Sequence, residues 1–329
     1  MRYFIISIGL LIVLASAFFV KTLVAFYRGK KRAAQKWNNR QVSKLPEHGF
    51  TRTLSILPLI EWSPTENGLK RESGISYLIR TDHLNILFDC GLNRKKESPS
   101  PLLRNMNNLG VTTDSFDVVV ISHNHMDHVG GWQNQKKRTF SIDQEQMPLP
   151  GKKAYVPVPM DYPGILCKLT AEPCVIAKGV ALTGTIENYL YLMGPVNEQA
   201  LAINVAGKGV VIIVGCGHQT IHRLLKQVED LYDEPIYGIV GGLHLPYRKM
   251  EGNLRLLGQP VSKYMGTGKL PWNSITLNDV QETISEIKAV DPKIIALSPH
   301  DSSPDAIRAF ESVFKEAYLP VMAGDAIEI

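Results

Sequence analysis

Acidic residues are missing from the first 45 positions, which hold nine Lys and Arg: Arg2, Lys21, Arg28, Lys30, Lys31, Arg32, Lys36, Arg40 and Lys44. The remaining chain has 27 basic against 31 acidic residues. The formal charge of +5 is therefore a local feature of the N-terminus. It is not the spread-out basic surface of a nucleic-acid binder, and no nucleic-acid partner is expected. Cysteine is scarce: Cys90, Cys167, Cys174 and Cys216 contain no C-x-x-C pair, which argues against a zinc ribbon. Cys167 and Cys174 are close enough in sequence to be bridged in an oxidising compartment and are expected as free thiols in a reducing one. No Walker-type or dinucleotide-type glycine loop occurs, so no nucleotide cofactor is implied. Neither a short-period repeat nor a compositional break follows residue 50, which leaves one domain over 51–329.

What the N-terminus does have is length and apolarity. Tyr3 to Val20 is an uncharged, mostly apolar run, and Thr22 to Tyr27 extends it past a single Lys21 able to snorkel to an interface. Arg28, Lys30, Lys31 and Arg32 follow at once. Residues 1–27 thus read as a single-pass anchor and 28–50 as a basic juxtamembrane linker. The positive-inside rule places the body in the cytoplasm, with an extracytoplasmic body as the alternative. A cleaved signal peptide is the rival reading, since Ala15-Ser16-Ala17 matches a small-x-small cleavage site.

Beyond the linker, strand patterns appear at Leu54–Trp62, Ile75–Thr81, Leu84–Asp89, Asp117–Ile121, Ala200–Val205, Val210–Val214, Ile236–Val240, Ile294–Leu297, Leu319–Met322 and Ala326–Ile329. Helical patterns appear at Pro101–Leu109, Thr220–Tyr232, Thr276–Ala289 and Pro304–Ala317. Residues 140–195 and 248–275 give no clear period and read as loops that shape a pocket. Strands followed by strand–helix alternation, repeated about twice, predict an α/β protein: an αββα sandwich with two sheets face to face and helices outside.

The chemistry is concentrated in residues 121–131, Ile-Ser-His-Asn-His-Met-Asp-His-Val-Gly-Gly, directly after the apolar Asp117–Ile121 run. His123 and His125, two apart on extended chain, project to one side, and Asp127 and His128 lie on the turn beyond. Imidazole nitrogen and carboxylate oxygen are ligands that Zn²⁺ and its neighbours prefer. Two such metals could share a bridging hydroxide at neutral pH. Gly130-Gly131 lets the backbone turn tightly beside them. His218 and His244 each end an apolar run beside small residues, where a strand end opens onto a site. Cys216 is either a metal ligand or a small buried hydrophobe. His300, after Ile294–Leu297, is a candidate for binding metal or substrate. His48 in the linker, His83 in a hairpin turn and His222 beside a helical stripe are expected to be solvated.

The H-x-H-x-D-H run resembles the signature of the metallo-β-lactamase superfamily. Ile86-Leu87-Phe88-Asp89-Cys90-Gly91 is similar to that family's upstream LFDTG element, whose aspartate braces the metal loop; Cys90 stands in place of Thr. Gly215-Cys216-Gly217-His218, Gly241-Gly242-Leu243-His244-Leu245, Ser298-Pro299-His300 and Gly324-Asp325-Ala326-Ile327 resemble GCSH, GGFHL, PCHCTG and GD-I elements of one branch. That branch is named for dihydropterin-ribofuranosylaminobenzene phosphate synthase. The sequence departs from it at Asp301-Ser302-Ser303 and at Gly217, and Gln219 precedes no proline. The resemblance implies metal at His123, His125, Asp127, His128, His218, His244 and Cys216, with Asp89 as support and Asp127 and His128 as catalytic groups. It implies two divalent ions, Zn first, with Mn or Fe as alternatives.

The expected activity is hydrolysis of an ester, amide or phosphoester of a small molecule by a metal-held nucleophile. A transferase of the synthase type is the alternative, because one fold hosts many chemistries. A non-catalytic metal-binding membrane sensor is the third possibility. The bilayer is the expected partner of the N-terminal helix, and nothing in the residues speaks to oligomeric state.

Overall fold

The computed structural model describes residues 2–329 except 64, 66–67, 251–254 and 257, so part of the expected 248–275 loop lies outside the described residues. One sheet takes β1 (Leu54–Ile60), β2 (Ser76–Thr81), β3 (Asn85–Phe88), β4 (Val118–Val120), β5 (Lys153–Val156) and β6 (Leu166–Leu169). The other takes β7 (Cys174–Ala177), β8 (Val180–Leu182), β11 (Leu201–Val205), β12 (Gly209–Val214), β13 (Ile236–Gly241) and β16 (Ile294–Leu297). The second sheet's run is interrupted after β8 by the hairpin of β9 (Ile186–Leu190) with β10 (Gly194–Glu198) and after β13 by the two-residue strands β14 (Arg255–Leu256) and β15 (Gln259–Pro260). The last strand, β17 (Ile327–Glu328), returns to pair with β1, giving the first sheet the order β17-β1-β2-β3-β4-β5-β6. The second runs β16-β13-β12-β11-β8-β7.

Alternation of buried side chains explains why the sheets face one another. Along β12, Val211 and Ile213 join the core between the sheets, while Val210, Ile212 and Val214 pack toward α4 (Ile221–Leu231), α5 (Leu277–Ala289) and α6 (Pro304–Phe314). On the opposite sheet, Ile86 and Phe88 of β3 point inward and Leu87 outward, toward α2 (Pro101–Asn108). Both faces of each central strand are covered, so these strands read as unbroken apolar runs. The result is the four-layer αββα arrangement.

Two expectations need correction, and a third gains detail. Helix α1 runs continuously over Arg2–Asn38, into the basic 28–50 segment. Its last turns are held by Ala33, which is buried, and by ion pairs to the body. Leu319–Met322 is not a strand; it follows an isolated bridge between Ile295 and Tyr318. The 140–195 segment, read as loop, carries β5 to β10, and Pro and Gly there mark tight turns between short strands.

The register fixes the site. Val214, Gly241 and Leu297 are level at the carboxyl ends of three parallel neighbours, and in the other sheet Phe88 pairs with Val120 at the ends of the parallel neighbours β3 and β4. Every segment that follows these ends opens on the same rim, where α/β sheets bind ligands.

Candidate metal centre

Past β4 the chain turns sharply through His123–Gly131 into the short helix α3 (Trp132–Lys137). Ser122 N donates to Asp89 Oδ1 at 2.7 Å, His128 N to the His125 carbonyl at 3.0 Å and Gly131 N to the Met126 carbonyl at 2.7 Å. Gly130 adopts φ +77°, and a Cβ there would run into the Ser141 carbonyl oxygen. Glycine is required at that point.

Hydrogen bonds on the far side of each ring set the direction of the histidines. His128 Nδ1 donates to Asp89 Oδ2 at 2.7 Å. The Ser122 hydroxyl also donates to that carboxylate, so it accepts from His123 Nδ1 at 2.9 Å. His218 Nδ1 donates to the Gly266 carbonyl at 2.9 Å. Ser298 gives its proton to Glu61, and so accepts from His300 Nδ1 at 2.6 Å. With Nδ1 so occupied, Nε2 in each of the four rings has its lone pair for a ligand whenever the ring is neutral. Outer hydrogen bonds of this kind fix tautomer and orientation in metal-binding imidazoles.

Two of those nitrogens lie against Cys216. Its sulfur is 3.0 Å from His128 Nε2 and 3.3 Å from His300 Nε2. Three donor groups, each within 4.8 Å, share it: Asp127–His128–Cys216–His300, His123–Cys216–His218, and Cys216–His244–Asp301. His125 Nδ1 lies 3.0 Å from His123 Nε2, two donors aimed at a common point. His218 Nε2 and both ring nitrogens of His244 are buried with no well-aligned hydrogen-bond partner among the described residues. Buried polar atoms are rarely left so. Nitrogen, sulfur and carboxylate donors with unmet lone pairs fit divalent metal of the zinc type.

Burial, followed by the neighbouring histidines, holds His123, His218 and His300 well below the usual imidazole range. Burial takes His125 to about 3 and His244 to about 4. These rings are neutral at physiological pH, as ligands must be. His128 differs. Burial opposes its charge, yet Asp89 and Asp127 outweigh that and raise it to about 9. A cation would take the place of that proton.

The structure thus brings together His123, His125, Asp127, His128, Cys216, His218, His244 and His300, with Asp89 behind them. Three contributors are not assigned to the site by the sequence. Asp301 joins one donor group and accepts from His244 N at 2.9 Å. Glu198 accepts from the backbone of Cys216, Gly217 and His218 at 2.6–2.9 Å, clamping the turn that carries two donors. Glu61 is fully buried and binds Tyr77, Ser298 and Trp62 N. Asp301 could have been suspected from its place beside His300. Glu61 and Glu198 carry no local signal beyond an acid at a strand end.

Among the remaining candidates, His83 is exposed and His222 lies on the open face of α4 near Glu286. His48 is not solvated: it is half-buried against Tyr232, bonded to the Leu45 carbonyl and Glu234. Cys167 and Cys174 are free thiols.

The sequence profile of the Metallo-beta-lactamase superfamily matches residues 70–140, which include the H-x-H-x-D-H run. The 7,8-dihydropterin-6-methyl-4-(beta-D-ribofuranosyl)-aminobenzene-5'-phosphate synthase of Methanocaldococcus jannaschii is 26% identical over 215 residues, 53% of this chain and 71% of its own. An uncharacterized protein of the same archaeon is 27% identical over 210 residues, 53% of this chain and 73% of its own. Among solved structures, a metal-dependent hydrolase of the beta-lactamase superfamily superposes with a TM-score of 0.58 at 20% identity, covering 84% of this chain and 99% of that one. The chain therefore has the metallo-beta-lactamase fold and carries the superfamily's signature segment, and its sequence resembles the synthase branch.

Proposed function

We propose that this chain is a membrane-tethered, metal-dependent hydrolase of a small ester, amide or phosphoester, with two divalent ions as its cofactor. One observation carries the reading: four histidines whose Nδ1 atoms are all bonded outward, of which His128 and His300 bring Nε2 within 3.3 Å of Cys216 Sγ and His123 and His218 share a donor group with that sulfur. His123, His125 and His218 would hold one ion, Asp127, His128 and His300 the other, and Cys216 would lie between them. His244 and Asp301 offer a further pair of donors at the same rim. When bound, such ions polarise a substrate oxygen and acidify water.

The protein's own groups do the rest. Asp127 is half-buried and its carboxylate lies 3.8 Å from His128 Nε2, where it can orient the attacking water and accept its proton at Oδ2. Asp89 keeps His128 in one tautomer and one orientation. The chain His300–Ser298–Glu61 holds the opposite wall in the same way. Covering segments around Gly266 keep bulk water away from His218 and His244, which strengthens every electrostatic contact inside.

Helix α1 supports tethering, since Gly9–Asn38 is long and apolar enough to cross a membrane and Leu10–Leu14 and Phe18–Val20 are exposed. Residues 1–27 would form the span, with the body from 51 to 329 on the side of Arg28, Lys31 and Arg32, the cytoplasm by the positive-inside rule. The second reading, a transferase acting on a dihydropterin and an aminobenzene ribofuranosyl phosphate, rests on the similarity to the archaeal synthase.

Metal analysis of the full-length protein beside an Asp127→Ala/His128→Ala variant tests the site. About two equivalents, falling to one or none in the variant, is the expected result. A wild type that takes up no Zn, Mn or Fe would remove the basis of the proposal. Turnover of generic phosphoesters or carboxylesters then favours hydrolase over transferase.

A further inference from the structure

We infer that the tip of the β9–β10 hairpin, Leu192 and Met193, enters the lipid leaflet beside α1 together with Trp272, so that the body docks on the membrane through the segments that close over the metal centre. This rests on the reading of α1 as a membrane anchor.

The register between α1 and β9 gives the direction. Lys36 Nζ meets Glu187 at 2.7 Å, Lys30 Nζ meets Asn188 Oδ1 at 2.9 Å, Phe26 packs edge-on against Tyr189 and Tyr191, and Thr22 Oγ1 lies 3.3 Å from the Tyr191 hydroxyl. Helix numbers fall as strand numbers rise. The hairpin therefore points along α1 toward its apolar, N-terminal end. Leu190 pairs with Gly194, so Tyr191, Leu192 and Met193 form the turn. Leu192 and Met193 are 51% and 40% exposed, next to the part of the helix that would lie in lipid.

A second segment reaches the same level independently. Trp272 packs on Phe19 with ring centroids 5.8 Å apart and on Tyr191 at 6.1 Å, yet it is 61% exposed. Phe19 is nine residues before Arg28, or about 14 Å along a helix axis at 1.5 Å per residue. If Arg28, Lys31 and Arg32 mark the headgroup layer, Trp272 lies on its membrane side. Exposed Leu, Met and Trp beside an apolar helix, with cations on the headgroup side, match an interfacial face and complement anionic lipid. Continuity with the proposed span commits the patch to lipid as its occupant.

The link to the metal centre is short. Gly266, six residues before Trp272, holds His218 through its carbonyl, and a Cβ on Gly266 would collide with His244. Asn188, on the same hairpin as Leu192, donates to the His218 carbonyl at 2.5 Å. Both leaflet contacts therefore sit on elements that touch the donors directly.

The test uses full-length protein in phosphatidylcholine–phosphatidylglycerol vesicles whose phosphatidylcholine carries bromine on the acyl chain near the headgroup. Flotation is measured first, then quenching of tryptophan emission for wild type, Trp272→Phe, and Trp272→Phe with Met193→Trp. We expect all three to float, the quenched fraction to fall by half or more in Trp272→Phe, and the added tryptophan at 193 to restore it. Flotation with identical quenching in wild type and Trp272→Phe would overturn the docking while leaving the anchor intact. Cross-links between copies through position 193, with no lipid quenching, would assign the patch to a second copy and overturn it too. Failure to float would overturn the anchor and the docking together.

Discussion

The carboxylate of Asp89 lies 2.7 Å from His128 Nδ1, with both side chains wholly buried. The same oxygen accepts the Ser122 hydroxyl, so one acid positions His128 directly and His123 through Ser122. An uncharged amide at 89 would present a donor or a weaker acceptor to both. Asp89→Asn should lower metal affinity about 10–100-fold, as loss of an outer hydrogen-bond partner does. Competition with a chromogenic chelator measures this, and unchanged affinity would mean that Asp89 serves the fold alone.

Glu61 makes a pH prediction. Burial outweighs its hydrogen bonds and raises its carboxyl from 4.5 to about 7. The folded state therefore keeps a proton that the unfolded chain has lost between those values. Its contribution to stability is full below pH 4.5 and is lost as pH rises through about 7. Glu61→Gln cannot titrate, so the variant should gain on wild type across that window, by about 3 kcal/mol at its upper end. Chemical denaturation from pH 4.5 to 7.5 gives the difference curve; a flat curve would sink the assignment.

Glu198 is the acceptor for three successive backbone N–H groups, and burial raises it to about 7 as well. Glu198→Gln removes the charge and one acceptor site while the donors stay buried. Expected losses are about 2 kcal/mol of stability and a weaker second metal equivalent, since Cys216 and His218 ride on that turn. Thermal unfolding and metal stoichiometry read the two effects separately.

Much of this was visible before folding, for reasons that differ by residue. His123, His125, Asp127 and His128 are local to one turn, so their spacing alone marks them as one donor cluster. The buried strands β4, β12 and β13 announce themselves because both faces are covered and no polar position interrupts them. His218, His244 and His300 were legible only as residues that follow such strands. Glu61 and Glu198 were not, because their work is to satisfy backbone and hydroxyl groups brought in from distant positions. The β9–β10 hairpin was hidden for a similar reason: its partner is α1, more than 150 residues away, and no local period records a contact at that distance.

That distant contact leads to the last prediction. Two truncations separate the proposed span from the part of α1 that packs on the body. Removing residues 1–27 leaves Ala33 buried and leaves Arg32 and Lys36 on Glu187, whose side chain is only 5% exposed. Removing residues 1–38 strips both cations from that carboxylate and uncovers Tyr189, against which Gly29 packs. Because Arg32 and Lys36 are themselves mostly exposed, the ion pairs are discounted for solvent screening, and the expected loss is about 2 kcal/mol, chiefly from leaving Glu187 unpaired. The longer fragment should unfold at the higher temperature, and Glu187→Gln should recover part of the gap in the shorter one. Equal melting temperatures would mean that residues 28–38 hang from the body instead of bracing it, and the hairpin would then owe its direction to its own turn.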